Sequence, residues 1–402
     1  MLERRHGFAR ADACLRQLLE VATRNGLPTW EIGALARLGV NEYMRSGSSE
    51  LLERARQAAL GLGAVGLMHT AEATMAMQCV QRAEFATARE LTDRCVDATA
   101  RLGNLDTHQL VLLTRASAAA HQGRRAVMEH ELAEFHRWDG EASLQRPLAY
   151  AARAMCALLE EDRPQALDEL DAARAWEERN PSVFYLNGRY GLRPLLRALA
   201  GRADLAEHAL VAADHGAGLR WNHQFERLAY AVLAGRAGLH AEAVAAVGEA
   251  VEASEPFPTA RHLGLRLVAE AALADGWGQP VEWLRSAEDH FHAAGVPTVA
   301  NACRHLLRRA GASVPQRRSG VERVPASLRR AGLTVREYEV FVLLAARPGN
   351  QAIGARLHIS PRTVEKHVAS LLAKTRSPNR TALADLAAGH AAGPAVDRAR
   401  PA

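Results

Sequence analysis

The chain has 402 residues, 48% of them apolar and 24% charged, with a formal net charge of +5. That length allows two or three domains with real cores, and the balance is that of a globular protein rather than a fibrous or disordered one. No run of about 18 apolar residues occurs and the opening "MLERRHGFAR" has no apolar signal core, which argues against a membrane span or a secretory leader.

The five cysteines (Cys14, Cys79, Cys95, Cys156, Cys303) are scattered and never form C-x-x-C. They read as reduced thiols of a cytoplasmic protein. Alanine, leucine and arginine dominate and aromatics make up 5%. This favours helix over sheet, so an all-α fold is expected.

From the start to residue 310, five stretches look alike: "QRAEFATARELTDRC" from Gln81, "QGRRAVMEHELAEF" from Gln122, "EDRPQALDELDAARAW" from Glu161, "AGRADLAEHALVAAD" from Ala200 and "AGRAGLHAEAVAAVGEA" from Ala234. Each follows a helical run, gives a short polar turn and then an amphipathic helix. In the third, Ala166, Leu167, Leu170 and Ala173 share one face; in the fifth, Val244, Val247 and Val251 do. The turns recur every 34–41 residues, the period of paired-helix repeats that bury their stripes against one another. The period and the small-residue positions resemble tetratricopeptide repeats, although the Trp and Pro landmarks are mostly missing. Such a solenoid presents a groove to a peptide, protein or small-molecule effector; a structural spacer or dimer platform is the plainer reading.

Signs of chemistry are absent from this body. "HELAEFH" (His130 to His136) misses H-E-x-x-H, because its second histidine lies six residues on and faces another way. "DHFH" (Asp289 to His292) sets its histidines roughly 200° apart on a helix. The only lysines, Lys366 and Lys374, follow Glu365 and Ala373, so there is no Gly-Lys of a P-loop. No G-x-S-x-G occurs, and no G-x-G-x-x-G follows a strand. No catalytic, cofactor-binding or metal-binding residue is assigned, no cofactor is expected, and the chain is not read as an enzyme.

Residues 311–332, "GASVPQRRSGVERVPASLRRAG", lack apolar periodicity and read as an irregular linker with one short turn near Ser327. Charge then changes sign. Residues 316–380 hold 13 basic and 4 acidic residues, a net of +9; residues 381–402 cancel, which leaves −4 for residues 1–315. A basic end on a slightly acidic body predicts a separate polyanion-binding module.

Within that module, Thr334 and Glu337 make a capping box, with Leu333 and Tyr338 placed as a hydrophobic staple. Val340, Phe341, Leu343 and Leu344 form the buried side of a first helix that "RPG" (Arg347 to Gly349) ends. Asn350 is expected to cap a short second helix carrying Ile353 and Leu357. After a turn at "HI", Ser360 caps a third helix with Pro361 at its first position. On a helical wheel with Val364 at 0°, Val368, Leu371, Leu372 and Thr375 gather on the core side within roughly 100°. Arg362, Thr363, Lys366 and Ser370 fall opposite, flanked by His367 and Lys374. Two helices, a tight turn and a helix with a small, basic outer face make a helix-turn-helix. Arginine has displaced lysine everywhere but here, where a flexible charge suits a phosphate or a guanine edge; chance clustering of two residues is the alternative.

The segment 333–389 resembles the LuxR-type helix-turn-helix family through "LTVREYEV", Asn350 with Ile353, "ARLHIS", "TVEKHV", Lys374 and Arg380. The resemblance implies a four-helix domain with the third helix, 361–375, in the major groove of promoter DNA and the fourth available for dimerisation. Carried over by position, it implies that Thr363 contacts phosphate, that Val364 sits at the groove-facing edge of the core against thymine methyls, and that Lys366, His367 and Lys374 are contacts. Three features depart from the family pattern. Glu365 stands where a basic residue is common, "RPGN" replaces a glycine-containing turn, and Thr375–Arg376 replaces Leu-Gly.

The body resembles the helical repeat region of large LuxR-type regulators that also carry an ATPase module. Without a P-loop, the chain is expected to be a short relative of those or a piece of one. The expected organisation is a helical repeat domain at 1–310, the linker, a helix-turn-helix domain at 333–390 and a disordered tail at 391–402. The expected function is that of a bacterial, cytoplasmic, sequence-specific transcriptional regulator that binds promoter DNA as a homodimer. An effector at the repeats and RNA polymerase are further partners open to it. The alternative is a helical scaffold whose DNA binding is weak or vestigial.

Overall fold

The structure, a computed structural model, describes residues 2–180, 185, 186, 188–314, 324, 325, 327, 328, 331–357 and 359–392. Among them every regular element is an α-helix. The chain divides into two compact units, Met1–Val314 and Pro315–Ala402.

The first unit contains α1 (Leu2–Arg24), α2 (Pro28–Ser46), α3 (Glu50–Leu62), α4 (Val65–Gln81), α5 (Phe85–Arg101), α6 (Leu105–Ala120), α7 (Arg125–Arg137), α8 (Arg146–Leu159), α9 (Arg163–Arg179), α10 (Leu192–Leu199), α11 (Leu205–Ala212), α12 (Arg220–Arg236), α13 (His240–Ala253), α14 (Pro258–Asp275), α15 (Pro280–Ala293) and α16 (Pro297–Arg309). Most pack against their neighbours in the chain; α4 also meets α6, α6 meets α8, and α12 meets α14. This is the contact pattern of stacked helical hairpins.

The likeness of the five stretches has a physical cause in how their helices end. After α4 the Glu84 amide donates to the Cys79 carbonyl at 2.8 Å; the same closure joins Arg124 to Ala119 at 2.9 Å, Asp162 to Ala157 at 2.8 Å and Leu239 to Ala234 at 2.9 Å. The residue before each donor is left-handed, with φ of 62° at Ala83, 66° at Gly123, 64° at Glu161 and 79° at Gly238. These are Schellman-type endings, which satisfy the last helical carbonyls before the chain reverses. The closure also follows α5, from Asn104 to Thr99, and α15, from Val296 to Phe291. The repetition therefore extends beyond the stretches that sequence similarity picks out.

Ala166, Leu167, Leu170 and Ala173 are buried together on α9 as the pattern predicts. The fifth stretch differs. Val244 is 47% exposed, and the buried face of α13 is Ala243, Ala246, Val247 and Ala250. Alanine wins there because it lets α12 and α13 approach closely, so the wider valine stripe is not the packing stripe.

The array curls until its beginning reaches its later part. Phe8 on α1 lies edge-on to Tyr185 with ring centroids 5.3 Å apart. Arg220 on α12 donates from Nη1 to the Ser46 carbonyl at 2.7 Å. Cys79, Cys95, Cys156 and Cys303 are buried free thiols and Cys14 an exposed one. No helix among the described residues is long and apolar enough to cross a membrane.

The second unit contains α17 (Val335–Leu344), α18 (Asn350–Leu357), α19 (Pro361–Thr375) and α20 (Arg380–Ala392). Its core joins Val340, Phe341 and Leu344 to Ile353, Val364, Val368, Leu371 and Leu383. Two residues from the stretch read as linker, Val324 and Leu328, are buried in this same core. The sequence hid them because two apolar positions cannot establish a period. Much of the remaining linker, the His358 of the expected turn and residues 393–402 of the expected tail lie outside the described residues.

Candidate nucleic-acid interface

The position of α19 is set by caps that act at short range. The Thr334 hydroxyl accepts from the Glu337 amide at 3.3 Å, and the Glu337 carboxylate accepts from the Thr334 amide at 2.7 Å, completing the capping box that starts α17. Ser360 caps α19 through the Thr363 amide at 3.1 Å, with Pro361 in the first turn. Between them, the Ile359 amide donates to the Gly354 carbonyl at 2.9 Å. A Cβ on Gly354 would lie 2.6 Å from the Ile359 carbonyl oxygen. The turn that aims α19 thus requires a residue without a side chain at 354.

Asn350 does not cap α18. It is the first helical residue, and its side-chain oxygen accepts from Arg380 at 2.6 Å while the other Arg380 nitrogen reaches the Pro348 carbonyl at 2.7 Å. Arg380 therefore ties the entry of α18 to the start of α20. Arg336 closes the other end of α18, donating to the Leu357 carbonyl at 2.6 Å.

The seven residues expected to face DNA separate into three groups. Arg362 and Lys366 are exposed on α19, and among the described residues neither is joined to a carboxylate. Thr363 and His367 are half-buried; the Thr363 hydroxyl lies 2.7 Å from that of Ser360. Ser370, Lys374 and Val364 are committed to the unit itself. Ser370 donates to Glu337 Oε1 at 2.6 Å, and Lys374 Nζ lies 2.7 Å from both oxygens of the same carboxylate. Val364 is 0% exposed and has no surface to offer a groove.

Glu337 is thus more than a cap. It is 5% exposed and collects donors from α19 and from the chain before α17. Burial alone would raise its pKa, but hydrogen bonds from Lys374, Ser370 and Thr334 outweigh burial and hold it at about 2. Because α17 packs against the side of α19 that carries Ser370 and Lys374, the exposed ridge is turned away from them. It runs through Arg362, Glu365, Lys366, Ala369, Ala373 and Arg376. The wheel did not single out Ala369, Ala373 or Arg376. Their side chains carry no motif, but their spacing of three to four residues after Lys366 is a readable signal. Two alanines flanked by cations make a ridge slim enough for a groove and matched to phosphate. Arg376 ends the helix with φ at 54°, in a left-handed conformation usually left to glycine.

One cluster in the first unit has the residue types of a metal site. The ligand atoms of His69, Glu72 and Cys95 all lie within 4.8 Å of one another and are buried. They already satisfy each other: His69 Nδ1 is 3.2 Å from Glu72 Oε2, Cys95 Sγ donates to that oxygen at 3.5 Å, and Arg94 donates to Oε1 at 3.2 Å. Burial, with the Glu72 charge adding to it, pushes the Cys95 thiol up to about 12. A protonated thiol beside an arginine-neutralised carboxylate is a polar knot between α4 and α5. The 23 residues that separate Cys95 from Glu72 gave no motif to read.

Residues 331–387 match the family described as bacterial regulatory proteins, luxR family. No curated protein and no solved structure is significantly similar to the chain. The second unit therefore carries a LuxR-family helix-turn-helix domain, attached to an all-helical region.

Proposed function

We propose that this chain, with its LuxR-family domain, is a DNA-binding transcriptional regulator. In this reading α19 enters the major groove and the helical body acts as the sensor. The observation that carries it is the exposed ridge of α19, where Arg362 and Lys366 stand without carboxylate partners among the described residues, on a helix whose other side is core. Cations left unpaired next to small side chains gain most from a polyanion, because phosphate contact releases condensed counterions. Arg362, Lys366 and Arg376 are the proposed contacts, with Thr363 and His367 at the edge of the ridge. Ser370 and Lys374 support them from behind by fixing α19 to α17.

Binding as a homodimer through α20 follows the family's habit and remains part of the proposal, as do a cytoplasmic location and an engagement with RNA polymerase. The division into a repeat domain of tetratricopeptide type, a linker and a DNA-binding domain belongs to the same reading. No catalysis is assigned to the chain. The test is to select bound sequences from random duplex DNA and then titrate the winner at several salt concentrations. Specific binding that weakens steeply with salt is the expected result.

A second reading rests on Glu365. This carboxylate is exposed on the same ridge as Lys366, where it repels phosphate. A helical scaffold with residual DNA affinity would show weak binding without sequence preference, and selection would return no consensus.

A further inference from the structure

Inside the curl of the first unit lies a cavity of about 620 Å³. Its wall is assembled from α1, α2, α4, α6, α8 and α12, so it exists only because the array returns on itself. That volume is typical of small-molecule sites, which are mostly apolar with a few placed polar groups. Met44, Met77, Met155, Leu148 and Trp221 supply the apolar wall.

Three polar atoms of the wall are buried and lack a hydrogen-bond partner: Gln78 Nε2, His121 Nε2 and Gln145 Oε1. Their chemistry follows from what the rest of each side chain does. His121 Nδ1 lies 2.8 Å from the Ser117 carbonyl, which only accepts, so Nδ1 carries the proton and Nε2 is an acceptor. The Gln145 amide nitrogen donates to the Asp106 carbonyl at 2.8 Å, which leaves Oε1 as a second acceptor. Gln78 Oε1 accepts from Ser49 at 2.7 Å, which leaves its Nε2 as a donor. A buried polar atom without a partner destabilises a fold unless a ligand satisfies it, and these three share one cavity. Burial also lowers the His121 pKa against the smaller opposing effect of Ser117, which keeps the ring neutral. The charged residues of the wall, Arg37, Asp106 and Asp139, are exposed.

We infer that this cavity is a binding site for an uncharged, largely apolar small molecule with hydroxyl or N–H donors for His121 and Gln145 and an acceptor for Gln78. The inference deepens the sensor role proposed above and rests on that reading only for its regulatory meaning. The uncharged interior argues against a charged ligand, and the methionine and leucine wall against a sugar. Closure of the curl by Phe8 and Arg220 makes a pocket where an open solenoid would have had a groove.

The full-length chain should bind the neutral dye Nile red at one saturable site, with a blue-shifted emission. 1-Naphthol should displace the dye about fivefold better than naphthalene, because it alone brings a donor to the orphaned acceptors. 1-Naphthalenesulfonate, the same ring with a fixed charge, should fail. Met77→Trp should fill the cavity and weaken the dye at least about tenfold. The paired variant His121→Phe, Gln145→Leu keeps the volume and should retain the dye while erasing the preference for 1-naphthol, so the inference is testable even if Met77→Trp misfolds. Unsaturable dye binding, or a preference for 1-naphthol that survives the paired variant, would overturn it. Neither readout uses DNA. A chain that binds 1-naphthol but no DNA refutes the regulatory reading alone.

Discussion

In the helical body, Arg266 is 4% exposed and grips Glu161 at 2.7 Å, with Glu270 3.6 Å away. Arg304 likewise reaches the buried Glu288 at 2.6 Å. On the outer ridge of α19, Arg362 and Lys366 face water, and no carboxylate among the described residues is joined to them. The same residue class thus holds helices together in one region and stands free in the other. Net charge alone would have separated the two regions by sign. At these positions the pairing separates the cations by purpose: the engaged ones contribute to stability, and those apart from carboxylates are open to a ligand.

The sharpest way to break this contrast is Arg266→Ala. It should destabilise the body by about 3–5 kcal/mol, because it removes a buried side chain from the helix packing and leaves the half-buried Glu161 without that cation. All six tryptophans (Trp30, Trp138, Trp176, Trp221, Trp277, Trp283) lie in the body, so tryptophan fluorescence during urea unfolding isolates the effect. A loss below about 1 kcal/mol would mean that the buried pairs are incidental.

Next in size is Glu337, a buried carboxylate that the C-terminal unit pairs with a cation as the body does. Glu337→Ala should cost that unit about 2–4 kcal/mol. Far-UV circular dichroism should show an early loss of helix while the tryptophan transition stays in place. Glu337 also predicts a pH dependence. Its folded pKa, at about 2, lies below the ordinary carboxylate value of 4.5. The stabilisation is complete above pH 4.5 and is lost as pH falls from there towards about 2. Thermal scans across that window should show the C-terminal transition falling in wild type and flat in Glu337→Gln.

Lys366→Ala tests the free side of the contrast. Stability should move by less than about 0.5 kcal/mol, whereas DNA affinity should fall by about 1–3 kcal/mol if the lysine reads a guanine edge. If it touches phosphate alone, the loss should be equal on all sequences and the salt slope should shrink by about one. Lys374→Ala should do the opposite, lowering stability first. The smallest expected effect is a gain. Arg376→Gly relieves a left-handed residue and should stabilise the unit by about 0.5–1 kcal/mol, visible as a later dichroism transition.

What could be read from sequence and what could not divide by range. The capping box at Thr334 and Glu337, the Ser360 cap and the core stripe of α19 are signals three or four residues long, and they hold in the structure. The partners of Glu337 lie 33 and 37 residues away. A helical wheel does not know which flank the next helix covers, so Ser370 and Lys374 looked outward. Val364 was placed at a groove-facing edge by the family resemblance alone; the wheel had set it on the core side, where it lies. The cavity was further out of reach, because Phe8 and Trp221 meet at its wall only through the curl of a dozen helices. Turns were legible as polar breaks, but their left-handed closure was masked where Ala83 and Glu161 stand in for glycine.

The scarcity of lysine has a consequence for reactivity. With the Lys374 amine held by both oxygens of Glu337, its lone pair is unavailable to an electrophile. Lys366 is then the single side-chain amine in the protein that an acylating reagent can reach readily. Acylation would erase its positive charge in one step, in the middle of the ridge and nowhere else along the folded chain. A chemical or enzymatic acyl donor acting on Lys366 would therefore work as a switch on the surface proposed to meet DNA, and DNA bound there would shield that site in return.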